Sequence, residues 1–115
     1  MIIATITLKV IPHKRSELLQ TLRSMTEQIR RARGCNSCYF FQDVEDENIF
    51  IIIEDWNTQE ELDSHLESDM FGALIGTKSL LVEPADISIR SVSYTAGMEA
   101  VEKARQKSRL LNEKE

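Results

Sequence analysis

The sequence predicts an α+β fold in which a four-stranded antiparallel sheet carries two helices on one face. Three observations support this prediction. Apolar residues alternate with a period of two in four short segments, they recur every three or four residues in two longer segments, and polar turn residues separate these segments. The order β-α-β-β-α-β is the split βαβ, or ferredoxin-like, arrangement.

The first strand and the first helix are predicted from a change of period near Pro12. Residues 2–10 alternate between apolar and mixed positions, and Pro12 ends this strand. From Lys14 to Arg33 the apolar residues fall on one helical stripe: Leu18, Leu22, Met25, Ile29 and Ala32. Gly34 follows directly, as expected for a residue just past the end of a helix.

The middle of the chain predicts a hairpin of two strands. The aromatic-rich segment "NSCYFFQD" (36–43) and the segment "IFIIIEDW" (49–56) are joined by a polar turn over residues 44–48. Thr58 and Glu61 then have the spacing of a capping box, so a second helix should begin at Thr58. Ser68–Asp69 interrupts this helix, and Gly76 ends it.

The last part of the chain predicts a fourth strand and a tail helix. Residues 86–94 alternate again, and a narrow apolar stripe runs through residues 96–111. After Thr95 the chain becomes charged and loses its aromatic residues. We therefore divide the chain into a ferredoxin-like domain, residues 1–95, and a tail helix, residues 96–115.

The composition limits the classes of partner and the compartment. The chain has 115 residues and a net charge of −5, which argues against nucleic acid or an anionic membrane as its main partner. Its first residues lack the basic start and the continuous apolar stretch of a signal peptide, and no segment resembles a membrane span. These features predict a cytoplasmic protein.

The predicted sheet has apolar residues on both faces, although two helices can cover only one. In the third strand Ile49, Ile51 and Ile53 oppose Phe50 and Ile52. A monomer that exposed such a face would present a large apolar patch, which is rare in soluble monomers. We therefore expect a homodimer packed sheet on sheet. The alternative is that the tail helix folds over this face.

Three segments of the sequence resemble the antibiotic biosynthesis monooxygenase family. They are "GCxxxYxxQDxED" (34–46), "FxxxEDW" (50–56) and "ELDSHLxSDMF" (61–71). The resemblance covers roughly residues 1–94 and implies a ferredoxin-like domain that forms a dimeric α+β barrel. The quinol-monooxygenase-like branch fits best, because its elements are similar to Gly34–Tyr39, Glu54–Trp56 and His65–Leu66.

Two other branches of the family fit less well. The positions that carry Asn, Trp and an axial His in haem-degrading members correspond here to Thr7, His65 and Ile75. Without the axial His the haem iron lacks its protein ligand. The anthrone oxygenases place Asn and Tyr around the strand Trp, where this sequence has Ile52 and Leu62.

The resemblance implies a monooxygenase that uses no cofactor and no metal. Its substrates would be molecular oxygen and a small quinol- or anthrone-like aromatic molecule. His65 is the candidate base and Trp56 the candidate N–H donor, so these two are the expected catalytic residues. Tyr39, Glu54 and Phe71 are the expected substrate-binding residues. Each also has an ordinary structural role open to it, such as sheet packing for Tyr39 or a salt bridge for Glu54.

Two other functions stay open at this point. One is a non-catalytic dimeric module of the same fold that binds a small hydrophobic ligand or regulates another protein. The other is thiol redox chemistry at Cys35 and Cys38, the only cysteines in the chain. In an extended strand these cysteines would be about 10 Å apart with side chains on opposite faces, too far apart for a disulfide. No second cysteine pair completes a zinc site.

Overall fold

The computed structural model describes residues 1–114 and contains four strands and four α-helices. The strands are β1 (Ile2–Lys9), β2 (Cys35–Gln42), β3 (Ile49–Trp56) and β4 (Asp86–Ser91). The helices are α1 (Arg15–Arg30), α2 (Gln59–Leu66), α3 (Asp69–Gly76) and α4 (Met98–Lys114). Short 3-10 turns at Pro12–Lys14 and Thr77–Leu80 precede α1 and follow α3. The predicted element order is confirmed.

The strands form one antiparallel sheet in the order β2-β3-β1-β4. The two central strands, β1 and β3, pair with each other along their whole length, from Ile2 opposite Trp56 to Lys9 opposite Ile49. Directly opposed residues point to the same side of a sheet, so the register defines two faces. This is the predicted ferredoxin-like α+β fold.

The hydrophobic core lies between the sheet and helices α1 to α3. It contains alternate residues of the central strands together with the apolar stripe of α1, and its largest fully buried side chains include Trp56, Phe50, Ile6, Leu8, Leu18 and Leu22. We call this side of the sheet the helix side and the other the outer face. Of the residues that the periodicity places on the α1 stripe, Leu18, Leu22, Met25 and Ile29 are buried; α1 ends at Arg30, earlier than predicted, and Ala32 lies beyond it and is half-buried.

The second predicted helix is divided in two where Ser68–Asp69 interrupts the pattern. The Thr58 hydroxyl oxygen accepts a hydrogen bond from the Glu61 N–H at 3.1 Å and starts α2. The Ser68 hydroxyl oxygen accepts one from the Phe71 N–H at 3.2 Å and starts α3. Each cap satisfies an N–H group that has no carbonyl partner in the first turn of its helix.

The fourth strand is shorter than predicted, because the strand it pairs with, β1, begins at Ile2 and offers no partner beyond it. Ser91 pairs with Ile2, the first residue of β1, and the Val92 N–H still donates to the Met1 carbonyl oxygen at 2.9 Å. Beyond that point the sheet offers no further residue of β1, so residues 92–94 stay outside the strand despite their alternation.

The outer face of the sheet is exposed in the single chain. Tyr39, Phe41 and Ile53 are 55%, 51% and 37% exposed. Helix α4 does not cover this face: its apolar side chains are themselves exposed, and the molecule extends 61 Å along its longest axis. The radius of gyration is 18.5 Å, against about 13 Å for a compact domain of this size. The alternative to the expected homodimer, in which the tail helix folds over the sheet, is therefore not observed.

We predict that Gly34→Ala destabilises the protein by about 2 kcal/mol or more. Gly34 has φ +87°, and a Cβ there would lie 2.6 Å from the Glu61 Cβ, beside the start of α2. Gly72→Ala is the matched control, since a Cβ at Gly72 in α3 meets nothing within 4 Å. Urea unfolding of both variants tests this expectation, which equal stabilities would contradict.

Candidate functional site

Four of the five residues expected in the site come together on the helix side of the sheet. Glu54 and Trp56 are two residues apart on β3 and therefore point to the same face. His65 lies on α2 and Phe71 in the first turn of α3. Glu54 and Trp56 are 0% exposed, and His65 and Phe71 are each 5% exposed. We call these four residues the Glu54–His65 cluster.

Aromatic stacking fixes the orientation of the His65 ring. The Trp56 and His65 rings are stacked, with centroids 4.8 Å apart and an interplanar angle of 27°. Phe71 also contacts the imidazole, edge-on, with centroids 5.6 Å apart and an interplanar angle of 69°. Pairs of this geometry are stabilising beyond the apolar area that they bury. Contacts with two aromatic rings therefore restrict rotation of the imidazole.

Glu54 joins Trp56 and His65 through one carboxylate oxygen. The Trp56 Nε1–H donates to Glu54 Oε1 at 3.0 Å, and His65 Nε2 lies 3.5 Å from the same oxygen. A carboxylate without compensation would be strongly disfavoured in this apolar setting. The Trp56 N–H offsets part of this cost, and a proton taken up by His65 would place a positive charge beside the carboxylate.

Two polar atoms of the cluster have no hydrogen-bond partner in the described part of the chain. They are Glu54 Oε2 and His65 Nε2, both fully buried. Buried polar groups are nearly always satisfied, and an unsatisfied one costs about 1–3 kcal/mol. Two such atoms in one cluster mark a place where a proton or a polar group of a ligand can be accepted.

Small residues flank Glu54 on the neighbouring strands. Ala4 of β1 and Cys38 of β2 stand directly opposite it, and Ile89 of β4 stands opposite Ala4. Ala4 is a neighbour of the cluster that the sequence analysis does not include among the site residues. The signal was present in the sequence, because Ala4 is the one small residue on the buried face of β1, between Ile2 and Ile6.

Trp56 and Tyr39 are placed differently from what their expected roles require. The Trp56 N–H is bonded to Glu54, so it orients the carboxylate rather than facing a bound anion. Tyr39 lies on the outer face, away from the cluster, where the Arg30 guanidinium is 5.4 Å from its ring centroid. Tyr39 sits next to the buried Cys38, and the alternation of the strand therefore turns it outward.

The two cysteines do not lie on opposite faces, so that expectation is wrong. A β-bulge between Cys35 and Ser37 inserts an extra residue into β2. As a result Cys35 lies opposite Trp56 and Cys38 lies opposite Glu54, so both cysteines point to the helix side of the sheet. Both thiols are free. Burial, reinforced by the nearby Glu54 carboxylate, raises the pKa of Cys35, and the same causes raise the pKa of Cys38 to about 12. Reactive redox thiols have lowered pKa values instead.

We predict that both thiols react slowly with a disulfide reagent at pH 8, Cys38 more slowly than Cys35. With a pKa of about 12 the Cys38 thiolate fraction is only about 10⁻⁴ at that pH. Since the unfolded thiols lose their protons first, stability should fall as the pH rises above about 9. Urea-unfolded protein is the control, and both of its thiols should react rapidly. Ready formation of a Cys35–Cys38 disulfide would contradict this prediction.

Residues 1–114 contain neither a cluster of metal ligands nor a membrane-spanning helix. No three His, Cys, Asp or Glu side chains gather there as the ligands of a metal ion. No helix in the same part of the chain is long and apolar enough to cross a membrane. The surface cavities along α4 and beside Thr58 include no residue of the cluster in their lining.

The chain belongs to the antibiotic biosynthesis monooxygenase family, whose model matches residues 1–76. The Bacillus subtilis protein named "Putative monooxygenase YcnE" is 31% identical over 88 residues, which are 76% of this chain and 93% of that protein. The Synechocystis protein sll1783, described as uncharacterized, is 30% identical over 89 residues. The match spans 76% of this chain but only 60% of the length of sll1783.

Solved structures show the same fold. A crystal structure from Deinococcus radiodurans, whose description names this family, superposes with a TM-score of 0.79 over 84% of this chain and 97% of that one. A conserved protein from Methanosarcina mazei superposes with a TM-score of 0.73 over 77% of this chain and 89% of that one. Their sequences are 22% and 26% identical to this chain.

Proposed function

We propose that this protein is a monooxygenase that uses neither metal nor organic cofactor and acts on a quinol- or anthrone-like aromatic molecule. One observation carries the proposal: a buried imidazole, His65, is stacked on Trp56 beside a buried carboxylate and has an unpartnered nitrogen. Such a group can take a proton from a substrate in a water-poor setting. Membership of a monooxygenase family supports this reading.

The reaction requires only a base, oxygen and a protected pocket. Removal of a proton from the phenol or from the activated carbon gives an electron-rich anion, which passes an electron to O₂. The resulting radicals combine to a peroxide on the ring carbon. Loss of water leaves one oxygen atom in the product as a carbonyl or hydroxyl group, and the other oxygen departs as water. All the electrons that reduce O₂ come from the substrate, so no external reductant is needed.

The residues of the cluster have distinct tasks in this scheme. His65 Nε2 accepts the substrate proton, and the Glu54 carboxylate stabilises the imidazolium that forms 3.5 Å away. Trp56 is a positioning residue that holds Glu54 through its N–H and His65 by stacking. Phe71 forms an aromatic wall against which a flat substrate can pack.

A substrate must displace part of the helix layer to reach His65. Glu54 and Trp56 have no exposed surface, so α2 and α3 must move away from β3. The junction at Glu67–Ser68 separates the two short helices and offers a hinge for this movement. Closure afterwards would exclude water from the anion.

The closed cluster also favours a second candidate, a module that binds a small hydrophobic ligand without changing it. Full burial of Glu54 and Trp56 is what a packed core would show. The two candidates share the fold and differ in the use of His65. They are separated by whether oxygen is consumed when an aromatic ligand binds.

The proposal is tested by oxygen uptake with a panel of quinols and anthrones, with and without a chelator. We expect uptake with at least one compound and no loss of rate with the chelator. Uptake that the chelator abolishes would contradict the metal-free reaction. Binding of these compounds, followed by quenching of Trp56 fluorescence, without uptake would favour the binding module.

We also propose that the outer face is buried in a homodimer. Tyr39, Phe41 and Ile53 are exposed there next to the half-buried Ile51, which makes a contiguous apolar surface. Light scattering at micromolar concentration should give twice the 13.2 kDa mass of the chain. Ile53→Asp should lower that mass, because it places a charge in the middle of the buried surface. A wild-type monomer at this concentration would contradict the proposal.

A further inference from the structure

The helix side of β4 is left uncovered by the helices of its own chain. Ile87 pairs with Ile6 and Ile89 pairs with Ala4, so both isoleucines point to the side where the core lies. Ile6 and Ala4 are 1% and 2% exposed, whereas Ile87 and Ile89 are 42% and 44% exposed. The helix layer therefore stops before it reaches the edge strand.

The uncovered strip has room for one further helix. Strands are spaced by about 4.8 Å, so β4 lies about 10 Å from β3, over which α2 and α3 place His65 and Phe71. Packed helices are separated by about 8–10 Å. A helix laid beside α2 and α3 would thus lie over Ile87 and Ile89 and next to Ala4, the neighbour of Glu54.

Helix α4 has the apolar stripe that such a position requires. Its stripe is made of small and apolar residues spaced three or four apart: Met98, Val101, Ala104, Ser108 and Leu111. Met98, Val101 and Leu111 are 66%, 49% and 57% exposed, so the stripe has no partner in its own chain. A free helix of this length is marginal in water without packing.

The charges of the two surfaces are complementary. Within α4, residues 103–109 contain Lys103, Arg105, Lys107 and Arg109 and no acidic residue. Residues 59–70 of α2 and α3 contain five acidic residues and no lysine or arginine: Glu60, Glu61, Asp63, Glu67 and Asp69. Glu60 and Glu61 line a cavity with Arg33 near the end of α1, so it is the net acidic charge of α2 and α3, rather than particular ion pairs, that favours a basic helix beside them.

We propose that α4 of a second copy of this chain packs on the helix side of β4, beside α2 and α3. The chain's own α4 points away from this strip. The Val92 N–H donates to the Met1 carbonyl oxygen, so the chain leaves the sheet beyond the first residue of β1. The helix then projects, so that the molecule is 61 Å long. When two copies exchange their α4 helices, the helix side of β4 is covered in each copy. The exchanged helix also covers the side of the Glu54–His65 cluster that Ala4 borders. This contact is independent of catalysis and of the outer-face dimer.

Mixed-copy disulfide formation tests this contact. One batch carries Ile89→Cys and the other Val101→Cys, and the two are mixed and mildly oxidised. We expect a disulfide-linked dimer containing one chain of each variant. Gln106→Cys in place of Val101→Cys is the matched control, because residue 106 lies on the opposite face of α4. The control pair should give at least tenfold less disulfide-linked dimer. Wild-type protein, with Cys35 and Cys38 alone, gives the background.

Two results would overturn the proposal. The first is an intramolecular bond in a chain carrying both Ile89→Cys and Val101→Cys at high dilution, because α4 would then cover its own β4. The second comes from hydrogen exchange. In the double variant Val101→Asp/Leu111→Asp, which disrupts the stripe, we expect the α4 amides to exchange at least tenfold faster than in wild type. The double variant Gln106→Asp/Leu110→Asp changes the opposite face of α4, and its amides should exchange at the wild-type rate. Equal exchange in all three proteins would show that the stripe has no partner.

Discussion

His65→Ala is expected to slow the turnover of an accepted quinol at least tenfold. The substitution removes the only nitrogen base of the Glu54–His65 cluster, and general-base catalysis contributes about 10²- to 10⁴-fold in enzymes. The fall should appear in kcat more than in KM, because the imidazole acts on the proton in transit rather than on the bound ring. Oxygen uptake measured over a range of substrate concentrations separates the two constants.

His13→Ala is the matched control for this experiment. His13 lies in the exposed 3-10 turn before α1, and its replacement should leave turnover unchanged. His65→Gln preserves much of the side-chain volume but has no basic nitrogen, so it should be as slow as His65→Ala. An unchanged rate in both His65 variants would remove His65 from the mechanism.

Trp56→Ala should lower the free energy of unfolding by about 3–5 kcal/mol. Trp56 is fully buried, and its removal leaves a cavity and also deprives Glu54 Oε1 of its N–H donor. Such a loss is a large part of the stability of a typical domain, about 5–15 kcal/mol, so the variant should unfold at a much lower urea concentration.

Trp56→Phe separates packing from hydrogen bonding. It keeps an aromatic ring beside His65 but removes the N–H, so its loss of stability should fall between those of wild type and Trp56→Ala. Tyr94→Ala is the surface control, because Tyr94 is 77% exposed and should cost little. If Trp56→Ala unfolded like Tyr94→Ala, the buried cluster described here would be contradicted.

The order of the elements could be predicted because local periodicity and turn residues decide it. The strand pattern of residues 2–10, the capping box at Thr58 and the break at Ser68–Asp69 each have a short-range physical cause. Gly34 does not end α1, which stops at Arg30 with Arg31 as its cap; it has the left-handed backbone (φ +87°) of the turn that leads into β2. These features depend on neighbours in the sequence, which are visible without a structure.

The site could be predicted only in part, because its contacts depend on long-range register. Two-residue spacing places Glu54 and Trp56 on one face, but the Trp56 N–H bond to Glu54 depends on side-chain rotamers that the spacing does not determine. The extra residue near Asn36 turns Cys35 to the face of Cys38, and a strict alternation cannot foresee it. Tyr39 points outward because its neighbour Cys38 faces the helix side, opposite Glu54.

The measurement that tests the central claim most directly is the fate of ¹⁸O₂ in a reaction of chelator-treated wild-type protein with an accepted quinol or anthrone. The account predicts that one labelled oxygen atom enters each product molecule, that the other appears in water, and that His65→Ala slows labelling as much as it slows uptake. Uptake that yields hydrogen peroxide and an unlabelled product, or no uptake with any compound, would contradict it.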